Sequence, residues 1–159
     1  MSKLIITADD YGYNASCNKA ILGAVSAGLV TSVHVMANYA DEFAIKQLVT
    51  TINDAGNKCG IGLHVNTTAG PPAFQEENSL TKWNNLNQRY HFRDITDFNY
   101  DLSQVAIVRK EVDVQFQKLA DIIGAERIDC ISSHHNIHFF SPDFLTVLLD
   151  FSAKSKIPF

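Results

Sequence analysis

Ser132-Ser133-His134-His135-Asn136-Ile137-His138 follows directly on the apolar run Ile128-Asp129-Cys130-Ile131, and it places three of the chain's six histidines within five residues. Such a run reads as a buried strand, so the histidines stand where a strand gives way to a loop, the position at which α/β proteins gather their chemistry. In an extended exit, alternation puts His134, Asn136 and His138 on one face and His135 on the other. At most two of these histidines can then point at one ion, and a metal site needs ligands from other segments.

Working outward, two more strands of the same design precede this one. Residues 3–8 read as a short buried strand running into Asp9-Asp10-Tyr11-Gly12, a polar turn with two carboxylates. Asn14 or Ser16 caps a helix through about residue 27, with Ala20, Ile21, Ala24 and Val25 on one face and Gly28 as its stop. Residues 31–36 form a second strand, and residues 41–55 a helix on the spacing of Phe43, Ala44, Leu48 and Ile52, closed by Gly56. Residues 59–65 are the third strand, with His64 near its end.

From residue 66 to about 102 periodicity is lost, and Pro71-Pro72, the single tryptophan Trp83, Tyr90, Phe92 and Phe98 suggest an ordered lid. Asp101 or Ser103 caps the next helix, where Val105, Val108, Val112, Phe116, Leu119 and Ile123 recur at helical spacing before Gly124. Ser141-Pro142 starts a helix through about residue 152, and residues 156–159 open a fifth strand. The order β-α-β-α-β-loop-α-β-α-β predicts a single α/β domain over residues 1–159 with a parallel sheet. Four βα units are half of a (β/α)8 barrel, which takes about 250 residues. The chain is therefore an open sheet or the N-terminal part of an incomplete barrel, and the incipient last strand favours the latter.

With 159 residues, 46% hydrophobic and 19% charged, the sequence describes a soluble globular chain rather than a disordered one. A net charge of -4 without a Lys/Arg cluster excludes nucleic acid as a partner. Cys17, Cys59 and Cys130 are odd in number and far apart, which fits buried thiols in a reducing cytoplasm and neither a disulfide framework nor a thiolate zinc site. Leu4-Ile5-Ile6 is too short for a signal peptide, and no stretch reaches the roughly 20 apolar residues of a membrane helix.

Asp10, His64 and a histidine of the 134–138 cluster thus fall at the exits of strands one, three and four. One carboxylate and two neutral imidazoles form a ligand set that leaves positions open for water and substrate, as metal-assisted hydrolysis requires. Asp9, beside Asp10, is placed to take the water's proton. Singly, each feature has a plainer reading: a polar strand end for His64, a turn or helix cap for the aspartates. Their joint placement at three exits is what carries the metal reading. His34 lies mid-strand and His91 in the loop, and both read as structural; Trp83 and Tyr90 serve equally for packing the loop or stacking on a sugar.

Thr7-Ala8-Asp9-Asp10-Tyr11-Gly12, Gly62-Leu63-His64 and Ser133-His134-His135-Asn136-Ile137-His138 resemble the three N-terminal motifs of the YdjC-like carbohydrate deacetylases, which include chitooligosaccharide deacetylases. The resemblance covers nearly all of the chain. It implies a distorted TIM-like barrel and metal-dependent removal of acetyl groups from N-acetylated sugars or chitooligosaccharides. It further implies Asp9 as base, Asp10, His64 and His134 as ligands of one divalent ion (Mg2+, with Zn2+ the alternative), and Tyr11 and His138 beside a small carbohydrate substrate.

Ser132 and Asn136 stand where the family usually has Asp and His. Family members also run on for roughly another hundred residues of barrel, with a further arginine and a late acid histidine. The alternatives are a non-catalytic metal- or sugar-binding remnant and a hydrolase of some other amide. A half-barrel with open edges further predicts a homo-oligomer, a symmetric dimer being the commonest solution.

Overall fold

In the computed structural model, which describes residues 4–56, 58–93 and 104–159, the first strand begins later than its apolar run suggests. β1 spans Thr7–Tyr11. Leu4, Ile5 and Ile6 ahead of it are 77, 73 and 44% exposed, so the buried strand expected at residues 3–8 is corrected. The Ile6 carbonyl accepts N–H bonds from Thr31 and Ser32 at 2.9 and 3.2 Å. That segment is held by its backbone and not by burial.

β2 (Ser32–Val35), β3 (Gly60–Val65) and β6 (Ile128–Ser133) complete a four-stranded sheet in the order β1-β2-β3-β6, every pair parallel. Three helices run between or after these strands much as their caps dictate: α1 (Ala15–Ser26), α2 (Glu42–Asp54) and α4 (Pro142–Ser155). Asn14, Asp41 and Ser141 each accept a backbone N–H of the first turn, from Cys17, Ala44 and Phe144, which satisfies a donor that the helix start leaves open. α3 (Val105–Ile123) follows the predicted spacing and ends at Gly124, whose φ of 88° suits only glycine. The caps expected at Asp101 and Ser103, like the lid residue Phe98, lie outside the described residues.

Strand alternation then sorts the sheet. Val33, Val35, Leu63 and Val65 join Ile45 and Leu48 of α2 and Val112 and Leu119 of α3 in one buried cluster. The alternate positions, Ser32, His34, Gly60, Gly62 and His64, are small or polar and occupy the other face. This is the α/β architecture of an incomplete TIM-like barrel, with a helix-covered outer face and a polar inner one. The fifth strand is not formed as such, yet the Ile131 N–H donates to the Pro158 carbonyl at 2.8 Å, so residues 157–159 run alongside β6.

The long loop holds more order than its sequence promises. β4 (Thr81–Asn84) and β5 (Arg89–Phe92) form an antiparallel hairpin that pairs Trp83 with Tyr90, their rings 5.2 Å apart. The segment before it is tied down by Glu111 of α3, a buried carboxylate that accepts the N–H groups of Ala73 and Phe74 at 2.7 and 2.9 Å.

Candidate metal centre

Two adjacent residues in a regular strand point to opposite faces, so Asp9 and Asp10 could not both serve one site without a break in the pleat. β1 supplies it: the register against β2 shifts between Ala8 and Tyr11, and Asp10 takes a left-handed φ of 66°. Bulges of this kind re-aim a side chain, and the strain of a non-glycine residue there is of the order of 1–3 kcal/mol. Both carboxylates therefore reach the histidines of neighbouring strands.

Asp10 Oδ1 lies 3.2 Å from Nε2 of His64 and 2.9 Å from Nδ1 of His134. Ligands about 2.1 Å from one ion are separated by about 2.9–3.4 Å in octahedral or tetrahedral geometry, and both separations match. The hydrogen bond from His64, and then the His134 ring, hold the Asp10 carboxyl below the usual carboxylate range against the opposing effect of burial. Burial holds His134 below its ordinary value despite the neighbouring Asp10. An ionised carboxylate beside a neutral imidazole is the charge state a divalent cation needs.

His64 is oriented from behind. Its Nδ1 pairs with Ser132 Oγ at 2.7 Å, which leaves Nε2 facing Asp10, where it would give its lone pair to a bound ion. The three groups fit a metal ion.

Asp9 sits one step away. Its Oδ1 is 2.9 Å from His34 Nδ1 and 3.9 Å from His64 Nδ1, and the His34 hydrogen bond, outweighing burial, keeps its pKa lowered. Asp9, His34 and His64 form a second group that could take a cation. The 3.9 Å separation exceeds the ligand spacing above, and His64 cannot present lone pairs on both nitrogens while one holds a proton. The Asp10 group is the better metal set.

His34, expected to be structural, is thus part of the cluster. Burial opposes its charged form, yet hydrogen bonds to Asp9 and Cys130 carry its pKa up to about 9. The available signal was glycine: a Cβ on Gly62 would lie 2.5 Å from His34 Cδ2, so Gly62 opens the space that the ring fills across the β2–β3 pair, where His34 is in register with it.

Two sequence-based expectations change. Tyr11, expected at the substrate, is a core residue: it is fully buried and its hydroxyl donates to the Ala44 carbonyl at 2.7 Å. The extended exit expected after β6 is a 3-10 turn over His134–Phe139, with His135 and Asn136 at φ of 56° and 50°. His138 Nδ1 pairs with Ser133 Oγ at 2.6 Å and its ring packs on Phe139 and Phe159. His135 Nδ1 meets Thr68 Oγ1 at 3.0 Å.

The chain resembles known proteins over nearly its whole length. The chain is 28% identical over 159 residues to a carbohydrate deacetylase from Brevibacillus brevis, covering 98% of this chain and 58% of that protein. It is 27% identical over 155 residues to a chitooligosaccharide deacetylase from Proteus mirabilis, covering 98% and 57%. A crystal structure from Enterococcus faecalis V583, named for cellobiose-phosphate cleavage, superposes with a TM-score of 0.75 at 24% identity over 97% of this chain and 56% of the other. The chain thus spans just over half the length of these relatives. The profile of YdjC-like proteins matches residues 3–159, taking in the β1 bulge, the exit of β3 and the turn after β6, and the chain belongs to that family.

Proposed function

We propose that the chain carries the metal-holding part of a carbohydrate deacetylase centre, which removes acetyl groups from N-acetylated sugars such as chitooligosaccharides. The observation that supports this reading is the convergence of Asp10 Oδ1, His64 Nε2 and His134 Nδ1 at three strand exits with Asp9 beside them. A divalent ion held there would polarise the acetyl carbonyl and acidify water. Two imidazoles in the set suit zinc, whereas magnesium would be expected to keep more waters.

The chain's own groups supply the rest. Asp9, ionised because His34 donates to it, takes the proton of the attacking water. His34 fixes which carboxylate oxygen is engaged, and Ser132 fixes the ring of His64. Because the named relatives are nearly twice as long, metal binding without turnover is the second reading for this chain, with self-association as the way its open sheet edges are covered.

One experiment separates the two readings: calorimetric titration with Zn2+ and Mg2+, followed by acetate release from N-acetylated chitobiose on the loaded chain. One metal per chain with acetate release supports deacetylation. One metal without release supports the binding-only reading, and no metal rejects both.

A further inference from the structure

Across the inner face of the sheet, outside the metal set, three side chains from three strands stand in line. Cys130 Sγ lies 3.1 Å from His34 Nε2, and the opposite ring nitrogen, Nδ1, lies 2.9 Å from Asp9 Oδ1. A thiol, an imidazole spanned through both nitrogens, and a carboxylate are the parts of an activated thiol: the carboxylate holds the ring protonated, and the imidazolium stabilises the thiolate. We infer that Cys130, His34 and Asp9 form a thiol nucleophile site that takes carbon electrophiles bearing a leaving group.

The neighbouring groups support the assignment. Gly62, in register with both His34 and Cys130, lets ring and sulfur meet above it: a Cβ there would come within 2.5 Å of His34 Cδ2 and 2.7 Å of Cys130 Sγ. The other two cysteines are a built-in contrast. Cys17 and Cys59 are also half-buried, but their thiols donate to the backbone carbonyls of Asp10 and Gly60, at 3.6 and 3.7 Å, and burial pushes both up. A protonated imidazole beside a sulfur favours the thiolate and its reactivity; a carbonyl oxygen does not.

The step is a simple displacement. The Cys130 thiolate, held against the protonated His34 ring, forms a bond to the electrophilic carbon, and the carbon's bond to the leaving group breaks with that group departing as its anion, while the proton stays on His34 Nε2. Nothing is oxidised or reduced. No metal and no sugar enter the step, although the site shares Asp9 and His34 with the deacetylase reading.

The test is competitive alkylation of the whole chain by limiting iodoacetamide at pH 7 in EDTA, with each cysteine peptide quantified by mass spectrometry. Cys130 should react at least about tenfold faster than Cys17 and Cys59, and His34→Gln should erase that advantage. Equal rates at the three thiols in the unaltered chain overturn the site, as does an advantage that survives His34→Gln. If that variant loosens the fold, seen as a joint rise at Cys17 and Cys59, the ratio in the unaltered chain decides alone. EDTA keeps either result independent of whether the loaded chain releases acetate.

Discussion

Ser132 Oγ stands 2.7 Å from Nδ1 of His64 and so determines which nitrogen of that ring faces Asp10. With a cation bound, Nδ1–H would donate to the hydroxyl and Nε2 would give its lone pair to the ion. Removing the acceptor as Ser132→Ala should lower divalent-metal affinity by about 10–100-fold while leaving the far-ultraviolet circular dichroism unchanged. Ser132→Asp, which strengthens the same bond by adding charge, should bind more tightly than Ser132→Ala. Calorimetric titration of the two variants checks both statements, and equal affinities would place the orienting role elsewhere.

The two aspartates are separable by the same titration. Asp10→Asn should abolish stoichiometric metal, because its Oδ1 is the atom common to both imidazole contacts. Asp9→Asn keeps the shape of the side chain but cannot take a proton, so metal should remain and acetate release by the loaded protein should vanish. If Asp9→Asn instead loses the ion while Asp10→Asn retains it, the ion sits in the Asp9, His34 and His64 group and the two roles are exchanged.

What the chain discloses without coordinates follows a physical line. Most of the element order, the caps of the first and last helices and the three strand exits were legible because caps and apolar runs are local signals, as the Asn14 and Ser141 bonds bear out. The bulge at Asp10 was not, since a left-handed aspartate leaves no mark in the pattern. His34 was misread for a related reason: mid-strand polarity is explained only when Gly62 on the next strand is seen to make room for it. Tyr11 was misassigned because it adjoins the aspartates in sequence, while the bulge turns its ring into the core.

Acid–base linkage gives a third prediction. The folded pKa of His34 is raised to about 9, above its ordinary 6.5. Its contribution to stability is therefore fully present below 6.5 and is lost as pH rises through 9. The full linkage is about 3 kcal/mol; half of the Asp9 carboxylate is in water, and screening brings the expected effect to about 1 kcal/mol. Urea unfolding of the metal-free chain at a series of pH values should show that loss, and His34→Gln should flatten it. A slope that persists in the variant belongs to another group.

Glu111 should anchor the long loop. Its two oxygens accept the N–H groups of Ala73 and Phe74, and Gln115 adds a third donor at 2.7 Å. Glu111→Ala leaves these donors without a partner in a buried setting, and about 2–4 kcal/mol of stability should be lost. Hydrogen exchange should quicken at Ala73 and Phe74 before it quickens in β3. Uniform exchange across the chain would mean that Glu111 supports the core as a whole and not this loop.

Gly62 offers the sharpest separation of the inner face from the metal set. A methyl group there would press on the His34 ring and the Cys130 sulfur, at 2.5 and 2.7 Å, and neither neighbour is a flexible chain end that swings aside. Overpacking of this kind costs about 1–3 kcal/mol, so Gly62→Ala should unfold at lower urea. The displaced ring should lose its bond to Asp9, and with it the alkaline stability slope described above. Metal binding should survive, because Asp10, His64 and His134 meet through atoms that the methyl does not touch. A Gly62→Ala chain that loses metal and keeps the alkaline slope would show the opposite coupling: His34 unmoved, and the ligand histidine displaced through its own strand.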